Sequence, residues 1–204
     1  MSTSSSNQTP NHLITTAILG EFESISQKFS AFQNTNSLSC PPGCGKCCFK
    51  ADIYCAPIEL LPLAMELLNR GEAETYLEKC QDIKEDRCLF LSVQDEKTGK
   101  GTCTEYKYRP LVCRTFGVAP RHDKNGLVNF SVCTTLKETN PESFAKLQKR
   151  DFTDVEIPFI DQSKNKLACL DPRLAEEEFP INESLAMILE KVLFYESFNA
   201  SPRN

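Results

Sequence analysis

The sequence predicts an α+β fold, mainly helical, with a small irregular cysteine-rich core carrying short hairpins between N- and C-terminal helices. Three observations carry that expectation. Apolar residues recur at helical spacing near both ends of the chain. Ten of the eleven cysteines lie between residues 40 and 133. Two segments inside that stretch alternate around strong turn signals. At 204 residues, with 40% apolar and 25% charged side chains, the chain can bury a real core, which excludes wholesale disorder.

The elements follow in order. Residues 1–11 read as a disordered tail, rich in Ser, Thr and Asn with nothing to bury. Residues 12–200 read as one domain with 40–133 as its metal-binding core, and 201–204 as a second tail. From Thr15 to Phe32 the residues Ile18, Phe22, Ile25, Phe29 and Phe32 share one helical face, and 34–39 is a linker. Pro57 to Asn69 predicts a helix ended by Gly71, with Pro62 in its first turns, where a missing N–H does least harm. Glu72 to Lys84 predicts a more exposed helix, acidic early and basic late as the helix dipole favours.

Leu89–Val93 is expected to turn through Asp95–Gly99 into Thr102–Tyr106. Thr115–Val118 is expected to return through His122–Gly126 into Leu127–Val132, because Asn125-Gly126 tolerates positive φ. Asn140-Pro141 predicts a capped helix over 143–150. An extended 155–160 segment then leads to a last helix capped by Asn182, its apolar face being Leu185, Ile188, Leu189, Val192 and Tyr195.

Charge and targeting exclude several classes. The balance of 23 basic against 28 acidic residues gives −5, with no footprint for nucleic acid or an anionic membrane. The N-terminal stretch has neither the basic start nor the apolar run of an export signal, and nothing approaches a membrane span. The expected compartment is the cytoplasm, where thiols stay reduced and are used for metal or catalysis. An odd cysteine count forbids complete internal pairing. No phosphate loop, dinucleotide fingerprint or catalytic triad is visible, and whether the chain is an enzyme stays open.

The densest element is Cys40-Pro-Pro-Gly-Cys44-Gly-Lys-Cys47-Cys48. Four thiols in nine residues, separated by glycines and prolines, cannot be helix or strand, but such a loop lets sulfurs converge. Cys47 and Cys48 serve one site only if the backbone turns sharply there; otherwise they serve two sites, or one is a spectator. Cys88, Cys103, Cys113 and Cys133 are the other candidate ligands, three of them at the ends of expected hairpin strands. Cys55, Cys80 and Cys169 have no partner at ligand spacing and read as small buried hydrophobes, with Cys55 and Cys80 open as outer members of the cluster.

The double cysteine after Cys44, together with Cys88-Leu-Phe-Leu, Gly101-Thr-Cys103-Thr-Glu-Tyr106 and Tyr108-Arg109-Pro110-Leu-Val-Cys113-Arg114, resembles the YkgJ-like cysteine-cluster family with its CxxCxxCC signature. The resemblance covers roughly 40–133 and leaves out the flanking helices. It implies zinc or iron chelation and little about any reaction. The first gap departs from the signature, because three residues separate Cys40 from Cys44 instead of two, which weakens Cys40 as an equivalent ligand.

For the metal, all-sulfur ligation at irregular spacing suits an iron–sulfur cluster, with zinc as the alternative. A second paired Cys-x-x-Cys arm, the usual mark of structural zinc, is missing. His12 lies near the N-terminus and His122 in a polar turn, so neither is well placed. The cluster would carry negative charge, and Arg109 and Arg114, held near Cys113 by Pro110, are the expected cofactor-binding cations. Tyr106 and Tyr108 are expected to wall the site from solvent. The expected partner is a metal ion or cluster, with no nucleic acid and no membrane. Uses in redox work, metal handling or electron transfer, a cluster-dependent enzyme, and a structural zinc module serving protein interaction are all compatible with this pattern.

Overall fold

The stripe Ile18, Phe22, Ile25, Phe29 and Phe32 drives the architecture. It forms one face of helix α1 (Pro10–Thr35), and all five side chains are at most 5% exposed. Fully burying a side chain of this size contributes about 1.5–3 kcal/mol. The computed structural model describes residues 10–50, 52–82, 87–150, 152 and 156–200. The expected tails therefore fall outside the described residues, except that Pro10 and Asn11 already belong to α1.

Helix α1 serves two cores. Its N-terminal half, through Ile18, Phe22 and Ile25, meets the main core. That core is built with helix α2 (Leu61–Asn69), helix α3 (Ala73–Gln81) and the terminal helix α9 (Ile181–Ala200). Its C-terminal half, Phe29 and Phe32, joins Leu38, Val118, Val132, Leu136 and Leu147 in a second core capped by Phe130, Phe144 and Phe152. The linker after α1 is thus anchored by the fully buried Leu38.

Three two-stranded antiparallel ribbons make up the β content among the described residues. β1 (Tyr54–Cys55) pairs with β6 (Phe179–Pro180) and brings the C-terminal region back to the cysteine loop. β2 (Leu91–Asp95) pairs with β3 (Lys100–Cys103), with a bulge between Val93 and Asp95. β4 (Val118–His122) pairs with β5 (Val128–Val132) through a turn where Gly126 has φ 79°. Between the last two ribbons lies a single helical turn, α4 (Leu111–Arg114).

The remaining elements are α5 (Thr134–Thr139), α6 (Pro141–Lys149), α7 (Ile160–Ala168) and α8 (Pro172–Ala175). The predominantly helical α+β class is as the sequence predicts.

Several local expectations shift. Residues 57–60 form a 3-10 turn before α2, and α3 stops at Gln81, with Lys84 outside the described residues. Thr115–Gly117 is not strand: the Thr115 hydroxyl donates to Leu111 O (3.1 Å), which closes α4, and the ribbon starts only at Val118. Asn140 does not cap α6 with its side chain, which donates to Thr139 Oγ1 instead. Of the expected extended segment, 156–159 has no regular structure and Val155 lies outside the described residues. On α9 the side chains of Leu185, Ile188, Leu189 and Val192 are buried, but Tyr195 is 45% exposed.

Candidate metal centre

The cysteine loop is held by backbone contacts that only glycines allow. Gly45 N donates to Gly99 O (3.1 Å) and Gly101 N to Gly43 O (3.2 Å), stitching the loop along β3. A Cβ on Gly45 would sit 3.0 Å from Gly101 O, so any side chain there would force the two segments apart. Residues 46–49 then curl into one 3-10 turn, the sharp bend that two adjacent cysteines need to face one space. Cys47 and Cys48 Sγ lie 3.9 Å apart.

Each distant cysteine is delivered by its own clasp. Cys88 N donates to Cys48 O (3.0 Å), joining its segment to the loop. Asn182 of α9 grips both sides of Cys88, accepting from Leu89 N (3.1 Å) and donating to Arg87 O (2.8 Å). Cys103 ends β3 opposite Leu91, whose N–H donates to Cys88 O (3.1 Å). Cys113 sits in α4, whose Leu111 N–H donates to the buried carboxylate of Glu59 (2.7 Å). The other oxygen of that carboxylate accepts from Ala56 N (3.1 Å). Cys133 N donates to Gly117 O (2.8 Å), and Cys40 Sγ lies 3.2 Å from where a Cβ on Gly117 would be. Gly117 has φ 110°, so it is the residue that lets the chain turn there without striking the sulfur.

One cavity of about 620 Å³ gathers these segments. Seven of the eight cysteines singled out from the sequence line it: Cys40, Cys44, Cys47, Cys48, Cys103, Cys113 and Cys133. Cys88 lies behind the wall, 8% exposed in the main core. Cys55 is wholly buried, Cys80 packs against the main core and Cys169 is exposed; none of the three lines the cavity. His122 stacks on Phe159 with ring centroids 4.3 Å apart, outside the cavity, and His12 does not line it either. All eleven cysteines are free thiols.

Among the described residues, no three His, Cys, Asp or Glu side chains are gathered tightly enough to hold one metal ion as they stand. The sulfurs ring a space and do not meet at a point. Their protonation fits a site that a cation would complete. Donation from the Cys48 thiol brings Cys47 down to about 7, while Cys48 itself is pushed well up. Burial lifts Cys88 to about 11, and burial together with neighbouring sulfurs raises Cys113. Thiols packed this closely resist ionising together, and a bound metal replaces their protons.

The two arginines divide their work. Arg114 spends its donors on the protein: Nε on Arg109 O (2.7 Å), one terminal nitrogen on Ser26 Oγ (3.0 Å), the other on Lys107 O. Burial, reinforced by the charge of Arg109, lowers its pKa to about 10, so it stays charged at neutral pH. It pins the Cys113 turn to α1 while lining the cavity. Arg109 also lines the cavity, stacks on Tyr106 with its guanidinium 3.5 Å from the ring centroid, and keeps a buried Nε with no hydrogen-bond partner. An orphaned guanidinium N–H among thiols fits an anionic thiolate–metal group that would accept from it. Tyr106 lines the cavity but is 63% exposed, and Tyr108 is buried away from it.

Two contributions escape a reading of spacing. The cavity's far wall is a polar stripe of α1, Glu23, Ser26, Ser30 and Gln33, adjacent to its apolar face. The 3.6-residue period was visible there, but the stripe reads as ordinary solvated surface until the loop packs across it. Glu59 is a single polar residue in an apolar segment, and that isolation was the available signal; Asn182, followed by Glu183 and Ser184, gives no such signal.

Residues 39–134 match the family model CxxCxxCC, described as a "putative zinc- or iron-chelating domain". No curated protein and no solved structure matches the chain. The match includes every cysteine of the cavity and leaves α1 and α9, which supply the polar wall and Asn182, outside it. Residues 39–134, a little under half of the chain, are thus similar to the cysteine-cluster domain that the CxxCxxCC model describes.

Proposed function

We propose that the chain binds its metal group entirely through cysteine thiolates, as an iron–sulfur cluster used in redox, metal-handling or electron-transfer work in the reducing cytoplasm. The observation that carries this is the shared cavity, lined by seven candidate thiols and by Arg109, whose buried Nε has no hydrogen-bond partner. A space of about 620 Å³ ringed by sulfurs, with no three at a single point, favours a polynuclear group over one ion.

Cys40, Cys44, Cys47, Cys48, Cys88, Cys103, Cys113 and Cys133 are the residues that would supply its ligands. Bound there, an iron–sulfur cluster would supply one-electron chemistry. The chain's own residues set the conditions. Arg109 lines the same cavity and its positive charge favours the thiolate state of Cys47 and Cys103. The hydrogen bond shared with the Cys48 sulfur lowers the pKa of Cys47 and favours its thiolate. Arg114 holds the Cys113 turn against α1, fixing one side of the ligand ring.

A second reading has its own observation. Two sulfurs on one tetrahedral zinc are about 3.8 Å apart when Zn–S is roughly 2.3 Å. The 3.9 Å between Cys47 and Cys48 Sγ matches that edge, which favours zinc, held by both adjacent cysteines. Anaerobic purification followed by metal and sulfide analysis and a visible spectrum separates the two. Iron with equimolar sulfide and broad absorption near ~400 nm supports the cluster. A colourless protein with stoichiometric zinc and no sulfide establishes the second reading instead. Protein without any bound metal refutes both.

A further inference from the structure

The cavity has more to offer than its thiols. Its volume of about 620 Å³ lies within the range of roughly 300–1,000 Å³ typical of small-molecule pockets. One wall carries no cysteine: it is the α1 stripe of Glu23, Ser26, Ser30 and Gln33. Pro41, Pro42 and Phe116 add apolar surface. Metals held by soft thiolates make no call on hydroxyl and amide donors, so that wall is unexplained by metal binding.

The charges are lopsided as well. In a chain of net charge −5, Lys46, Lys107, Arg109 and Arg114 line the cavity against one carboxylate, that of Glu23. None of these four cations makes an ion pair among the described residues, whereas Lys28, Arg70, Lys164, Lys166 and Lys191 elsewhere all do. A zinc or iron–sulfur centre on four thiolates carries a charge of about −2. With Glu23 counted too, about one positive charge stays unmatched, which is room for one carboxylate.

Arg109 is the cation prepared to use it. Tyr106 holds its guanidinium by stacking, and Arg114 holds its carbonyl while reaching on to Ser26 of α1. No hydrogen bond or ion pair uses that guanidinium among the described residues; its Nε is buried, which leaves the two terminal nitrogens to grip a carboxylate with parallel bonds. Gln33 Nε2 lies 3.5 Å from where a Cβ on Gly117 would be, with Cys40 Sγ 3.2 Å from the same point. The α1 wall therefore brings an amide donor beside the cysteine ring.

We propose that the cavity takes, beside its thiols, a small organic acid whose carboxylate is held by the terminal nitrogens of Arg109, with Ser30 and Gln33 offering hydrogen bonds to its remaining polar atoms. The proposal rests on the metal-binding reading for its charge balance and goes beyond it by giving the cavity a second occupant.

The test titrates benzoate and, in parallel, inorganic phosphate into the anaerobically purified full chain by calorimetry at constant ionic strength, with metal content measured on the same samples. Benzoate is expected to bind at one site per chain. Arg109→Gln should weaken it about tenfold or more, the loss of a charge-assisted pair. Arg109 also neighbours the metal group, so Gln33→Met, which keeps the bulk of the side chain, makes the test independent of metal loss. It should weaken benzoate about three- to tenfold with metal content and Tm unchanged. Phosphate binding in preference to benzoate overturns the carboxylate assignment. Metal-loaded protein that binds neither probe, or binds benzoate equally well in both variants, overturns the proposal and leaves metal binding in place. Protein that binds benzoate at Arg109 but carries no metal upholds the acid site and overturns the metal reading.

Discussion

Gly101→Ala tests how the cysteine loop and the hairpin are fitted together. A Cβ at this position would lie 2.7 Å from Leu91 Cδ1 and 2.9 Å from Ser92 O. The leucine methyl can swing aside, but the carbonyl belongs to the paired strand β2 and cannot move without disturbing the ladder. Overpacking of this kind costs about 1–3 kcal/mol, against about 0.4–1 kcal/mol regained because alanine restricts the unfolded chain. At the midpoints of these ranges the net loss is about 1.3 kcal/mol, or roughly 3–5 °C in Tm for a chain of this size. The strand shift also displaces Cys103, two residues on, so metal content should fall together with Tm.

Gly20→Ala is the control, because nothing lies within 4 Å of a Cβ there and the residue is in the middle of α1. It should stabilise by about 0.5–1 kcal/mol without changing metal content. Thermal unfolding by circular dichroism and elemental analysis read both. An unchanged Tm and full metal content in Gly101→Ala would refute the close approach of loop and hairpin.

Glu59 is 2% exposed, and burial raises its pKa from 4.5 to about 7. A carboxyl raised on folding contributes stability that is fully present below about pH 4.5 and lost as pH rises through about 7, an effect of about 3 kcal/mol at most. Denaturant titrations across that window should show wild type losing stability relative to Glu59→Gln as pH rises; parallel curves would mean that Glu59 does not titrate there. Asn182→Ala removes both hydrogen bonds that clasp Cys88, and should cost about 1–3 kcal/mol and loosen metal retention against EDTA. Full stability and retention would mean the clasp is idle. Cys169 is exposed and outside the cavity, so Cys169→Ser should change neither metal content nor Tm, and a loss of metal would redraw the ligand set.

What could be read from the sequence follows from how far each interaction reaches. The apolar stripes of α1 and α9 repeat within a few residues, and their burial matches the spacing except at Tyr195, beyond the end of the packed surface. The seven thiols in the cavity were legible as a group because loops and hairpin ends bring cysteines together. The strand boundaries were not legible. Thr115–Gly117 has strand composition, but α4 is set by Leu111 donating to Glu59, a partner 52 residues away. The same limit hid Asn182, which looks like a helix cap but grips the Cys88 segment 93 residues earlier. Helices α7 and α8 escaped notice because their amphipathic faces are short. That Cys133 packs against the second core while Cys48, Cys88, Cys103 and Cys113 pack against the main one is invisible in spacing, since it depends on which half of α1 each segment meets.

X-ray absorption at the metal edge of the anaerobically purified protein tests the all-cysteine claim most directly. It should find a shell of sulfur alone, at about 2.3 Å whether the metal is iron or zinc, and losing sulfur scatterers in Cys47→Ser. A shell containing nitrogen or oxygen in the wild-type protein would place the metal outside this cavity's thiols and contradict the account.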